Sequence, residues 1–212
     1  MKLFKNEMQK EKIYLIASAA LILIGLGICL CEDGACAVSY FTYLINFFLV
    51  VYLIASIFLN NKNDKIYSYF SFSFIIAIFI TCYLYTFVLI KIDPENFKPL
   101  FSCEASIERN IHNIILHLIS LILLICKYFI FDKKGYFTYK HFLWGMAFPI
   151  GYWLFFMIFG SKINCPQYPF IKPDLCLFGT ILELIKLLIP FTIFGFLLIV
   201  LDKTLVIKNK KE

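Results

Sequence analysis

The chain alternates long apolar runs with short polar intervals. The runs cover about 13–30, 36–59, 66–90, 111–131, 142–160 and 175–201. Each is close to the roughly 20 apolar residues a helix needs to cross about 30 Å of hydrocarbon. Within lipid the backbone must satisfy its own hydrogen bonds, and runs this long and unalternating do not suit barrel strands. The pattern therefore predicts an all-α fold, a bundle of six transmembrane helices. The first three runs carry no formal charge. The fourth holds His112 and His117, with Lys127 near one end, where its long side chain is expected to snorkel to the headgroups. Pro149 lies in the fifth run, and Glu183, Lys186 and Pro190 in the sixth. The polar interval from Lys91 to Asn110 is the longest and is too short for a soluble domain, so residues 1–212 are read as one integral membrane domain. The first run exceeds a usual signal-peptide core and no small-residue cleavage site follows it, so it is expected to stay as a helix.

Composition agrees: 61% hydrophobic and 16% charged residues, with a mean hydropathy of +0.83, exceed what one soluble core absorbs. The net charge of +6 resolves into a topology signal. Lys2, Lys5, Lys10 and Lys12, Lys62 and Lys65, Lys133, Lys134 and Lys140, and Lys203, Lys208, Lys210 and Lys211 all fall on one side. Only Lys91, Lys98, Arg109, Lys162 and Lys172 fall on the other. This bias predicts cytoplasmic N and C termini. The lysine tails suit anionic headgroups and make no case for nucleic acid.

Cysteines gather at the outer face. Cys29, Cys31 and Cys36 flank the first external loop, Cys103 lies in the second, and Cys165 and Cys176 bound the third. In an oxidising compartment Cys31, Cys36, Cys103, Cys165 and Cys176 are the candidates for one to three disulfides, with the pairing open. A C-x-x-C redox pair is missing from the sequence. No two Cys or His residues show ligand spacing on one helix face, so neither a metal nor another cofactor is expected.

Polar residues inside the spans narrow the question further. Ser39, Thr42 and Asn46 recur at intervals of three and four and should form one stripe on the second helix, and Asn113 and His117 share a face of the fourth. Small polar residues commonly join helices in membranes, but an intramembrane histidine is costly without a partner or a task. Counted from the outer ends of their spans, Thr42, His117 and Glu183 fall roughly 9–12 Å deep, in one layer. A hydroxyl, an imidazole and a carboxylate at one level can serve as nucleophile, base and orienting partner. Glu183 also has Lys186 three residues away as an ion-pair partner.

The segments "SYFTYLINFFLVVYL", "NIILHLISLILL", "KKGYFTY" and "PIGYWLFFMIFG" followed by "YPF" resemble, in this order, the androgen-induced family of six-pass membrane proteins and its predicted bacterial relatives. The resemblance implies a hydrolase of fatty-acyl lipid esters, with Thr42 as nucleophile and His117 as base. Asn113, Asn46 and Glu183 are possible support, and membrane lipid supplies the substrate. It implies a multi-pass location, the plasma membrane in a bacterium, and leaves the oligomeric state open. The polar residue that follows the family threonine by three positions falls four later here, at Asn46. Two other functions fit the same polar layer: a small-molecule or ion transporter or channel, and a non-catalytic protein in which the layer only joins helices.

Overall fold

Every apolar run whose residues are described is helical. The structure, a computed structural model, describes residues 2–58, 64–95, 97–159 and 177–209, without the side chains of 2–5, 7, 64, 156–157, 177–184, 186–187 and 208–209. Helix α1 is Lys2–Asp33. Gly34, at φ 60°, turns the chain into a short 3-10 helix, Gly34–Ser39, a left-handed conformation that glycine adopts without a side-chain clash. Helix α2 is Phe41–Phe58. Helix α3 is Asp64–Tyr83, widens into a π-helical stretch, Leu84–Leu89, and ends with Ile90–Ile92. Helix α4 likewise joins Ile107–Asn113, a π stretch Ile114–Ile119 and Ser120–Phe131. Helices α5, Tyr139–Phe159, and α6, Leu177–Asn209, complete the chain, each with its proline inside.

Among the described residues, five helices are long and apolar enough to cross a membrane: Met8–Ser39, Phe41–Phe58, Lys65–Ile92, Ile107–Phe131 and Leu188–Ile207. Their outward positions, such as Leu23, Phe47, Val51, Ile122 and Phe196, are exposed and apolar, the surface expected of helices solvated by lipid. Helix α3 is the axis of the bundle. It packs against α2, α4, α5 and α6, and its Phe72, Ile75, Ile76, Ala77 and Ile78 are fully buried. Close helix approach in lipid depends on small residues. A Cβ on Gly25 would lie 2.6 Å from Ile115 Cγ2, and one on Gly195 would lie 2.7 Å from Phe142 Cδ2, so these glycines set the α1–α4 and α5–α6 spacings.

Four expectations change. The second helix begins at Phe41 and not near Cys36, because residues 34–39 wind as a 3-10 helix and Tyr40 is extended. Ser39 therefore leaves the Thr42–Asn46 stripe and bonds its own turn, Oγ donating to Cys36 O at 2.7 Å. The fourth helix begins at Ile107, four residues earlier than expected, because Ser106 caps it by accepting from Arg109 N–H at 3.0 Å. Lys127 does not snorkel: it is 1% exposed and its Nζ lies 2.7 Å from Asp132 Oδ1. The turn after α4 brings that carboxylate back over the lysine. Nearby, Asp202 of α6 accepts from Tyr128 OH, Gly135 N–H and Phe137 N–H at 2.7–2.8 Å, fastening the last helix to the turn between α4 and α5.

Candidate active-site cavity

A cavity of about 350 Å³ opens where α1 ends, α2 begins, α3 ends and α4 begins. Thr42, Asn113 and His117 all line it. Helix starts are not coplanar here, since Thr42 is the second residue of its helix while His117 follows Ile107 by ten positions. Counting from helix ends therefore fails as a measure of depth, and the shared cavity replaces it. None of its lining comes from the described residues of α5 or α6.

Position in the first turn determines what Thr42 can do. Hydroxyls deeper in these helices bond back to a carbonyl three or four residues earlier, as Ser56 does to Tyr52, Thr81 to Ile78 and Ser120 to Leu116. For Thr42 those carbonyls belong to Val38 and Ser39, on the far side of the extended residue Tyr40. Its hydroxyl has no hydrogen-bond partner among the described residues. It is thus available to a molecule in the cavity.

His117 is oriented from behind. Its Nδ1 lies 3.0 Å from the Thr81 carbonyl, which can only accept, so Nδ1 carries the proton and Nε2 keeps the lone pair. The Tyr85 ring lies against the imidazole, with centroids 4.3 Å apart and planes tilted by 32°. Tyr85 OH donates to Lys98 O at 2.7 Å and accepts from Asn113 Nδ2 at 2.8 Å, which ties the loop before α4 over the site. Asn113 therefore positions Tyr85, with one amide N–H left over. Tyr85 was not singled out in the sequence because an aromatic residue in an apolar run carries no signal of a special position.

The π stretch around His117 makes a demand that Asn46 meets. Ser120 N–H bonds Ile115 O and passes over the Leu116 carbonyl, which would be costly to leave unpaired in lipid. Asn46 Nδ2 donates to that carbonyl at 3.0 Å and to Thr42 O at 2.8 Å, and Ser120 Oγ also reaches Leu116 O. With both amide hydrogens used and the residue fully buried, Asn46 joins α2 to α4 and does not contact the cavity. Asn46→Leu should cost about 0.5–1.5 kcal/mol, the usual net worth of a hydrogen bond, because Ser120 Oγ still reaches the Leu116 carbonyl. It would be read as a lowered thermal midpoint of the purified protein in detergent.

The cavity mouth holds charge. Asp33, Asp93 and Arg109 line it, together with Cys29 and His112. One ligand atom each of Cys29, Asp33 and His112 lie within 4.8 Å of one another. Counting only Cys and His along single helices missed this group, in which a carboxylate one turn after Cys29 meets an imidazole from another helix.

The remaining candidates are placed less fully. Cys36 is disulfide-bonded, with its partner outside the described residues, whereas Cys31 and Cys103 are free and exposed. Cys31 points away from the bundle, two residues past the buried Cys29. Cys165, Cys176 and the Glu183 side chain lie outside the described residues. In comparisons with known proteins, the chain matches no family model, no curated protein and no solved structure.

Proposed function

We propose that this chain is a six-span membrane hydrolase of fatty-acyl lipid esters, with both termini in the cytoplasm, similar to the androgen-induced six-pass family. One observation carries the reading: the unpartnered Thr42 hydroxyl and an imidazole whose Nδ1 is held by a carbonyl line the same cavity. The lysine bias supports the orientation, as does a disulfide at Cys36 on the side assigned to the exterior.

The chemistry follows from those atoms. Thr42 Oγ1 attacks the ester carbonyl carbon while His117 Nε2 takes its proton. The tetrahedral intermediate expels the alcohol, which leaves with the proton from Nε2, and an acyl-threonine remains. Water then attacks the acyl carbon, again deprotonated by Nε2, and the fatty acid departs as Thr42 recovers its proton. The Thr42 amide lies in the first turn of α2, where no intrahelical carbonyl can receive it, so it can stabilise the oxyanion together with the second Asn113 N–H. A volume of about 350 Å³ is at the small end of ligand sites. The cavity then holds the ester and its nearest methylenes, and the rest of each chain stays in the lipid.

The test is labelling by a fluorophosphonate, which traps an activated hydroxyl. Native protein is expected to label and Thr42→Ala is not. Equal labelling of the two proteins removes Thr42 as nucleophile.

A further inference from the structure

We infer that Cys29, Asp33 and His112 form a binding site for a zinc-like transition-metal cation at the mouth of the cavity. Their ligand atoms all lie within 4.8 Å of one another, close enough for one ion to draw them in. The donors combine a sulfur, a carboxylate oxygen and an imidazole nitrogen, a borderline-soft set that suits zinc and not magnesium or calcium. Cys29 and Asp33 are one turn apart on α1, with Sγ 3.7 Å from Oδ2, and His112 arrives from α4.

Independent evidence lies in what surrounds the cluster. Cys29 and His112 are each only 5% exposed, yet His112 Nδ1 has no hydrogen-bond partner among the described residues. Glu32 Oε2 lies 3.2 Å from that nitrogen, in ion-pair range but without hydrogen-bond geometry. A carboxylate beside one imidazole nitrogen is the arrangement that a metal-bound histidine uses to fix its ring. Glu32 and Asp33 bring two carboxylates to this corner. Arg109, with Nε 3.7 Å from Glu32 Oε2, is the cation beside them, and a metal cation would offset the rest.

Three protein ligands leave a fourth position, and the ligands line the same cavity as Thr42 and His117. Binding would displace the Cys29 thiol proton to solvent and hold the residue as thiolate. Glu32, next to the histidine, is then the carboxylate that orients the imidazole. An ion here also ties the end of α1 to the start of α4. The inference does not depend on the hydrolase reading.

The test measures metal in purified full-length protein in detergent, after zinc loading and dialysis against a weak chelator. Native protein is expected to retain about one equivalent of zinc. Loading with cobalt should give visible bands of a tetrahedral ion and a thiolate charge-transfer band. Cys29→Ser should lose the charge-transfer band, and Asp33→Asn and His112→Gln should each lose metal by at least about tenfold. Thr42→Ala and Cys31→Ser should keep it, which separates this site from the proposed nucleophile and from surface thiols. Native protein without stoichiometric zinc overturns the proposal even if the variants fail to fold. Retention of the full equivalent in all three ligand variants, or a charge-transfer band that survives Cys29→Ser, also overturns it.

Discussion

His117→Ala is expected to lower turnover of a lipid ester by about 10²–10⁴-fold, the usual contribution of a positioned general base. The fall should appear in kcat with KM little changed, because the imidazole acts on the Thr42 proton and adds little to ground-state binding. Thr42→Ala should reduce turnover to background, since no other hydroxyl among the described lining residues is aliphatic. Thr42→Ser should keep measurable activity: it preserves the oxygen and the first-turn position that leaves it unpartnered. His117→Gln provides a control for packing, because its amide nitrogen can still donate to the Thr81 carbonyl but supplies no base. Ester hydrolysis by purified protein in mixed micelles, followed by fatty-acid release, checks each case. Unchanged turnover in both alanine variants, with the proteins still folded, would exclude the pair.

Lys127→Met is expected to be the most damaging single change to the fold. Lys127 Nζ reaches Asp132 Oδ1 at 2.7 Å and Tyr52 OH at 3.2 Å, and it sits 4.6 Å from the centre of the Tyr67 ring. Asp132 in turn accepts from Ser71 Oγ at 2.6 Å. Removing the lysine leaves a buried carboxylate without its cation, a cost of about 3–5 kcal/mol. Replacing both members, as Lys127→Met with Asp132→Leu, should recover much of that loss, because a buried pair is expensive to break yet close to neutral against apolar packing. Thermal unfolding of the single and double variants in detergent decides it. A single variant as stable as the native protein would show that the pair is solvated and its burial unimportant.

The two clusters differ in how far the sequence revealed them. Thr42 and His117 stood out because a polar atom in an apolar run is visible one residue at a time. Lys127 stood out for the same reason but was assigned to the headgroups, since a long side chain near a span end has two possible directions. Asp132 and Asp202 looked like ordinary residues at the ends of spans. Their importance comes from partners 5 and 65–74 positions away in the chain.

The sequence alone determined the helices, their approximate limits, the polar positions within them and the lysine asymmetry. Each of these follows from local composition and from a backbone that must close its own hydrogen bonds in lipid. Only the tertiary structure decided which polar groups come together: Thr42 and His117 in the lining of one cavity, Asn46 with the Leu116 carbonyl passed over by the π stretch, Cys29 and Asp33 with His112, and Lys127 with Asp132. Helical periodicity assigns a residue to a face of its own helix. In a membrane, however, the face toward a neighbour and the face toward lipid are both apolar, so neither rotation nor register between helices is encoded in the pattern. Those are set by close contacts such as Gly25 against Ile115 and by the π stretches of α3 and α4.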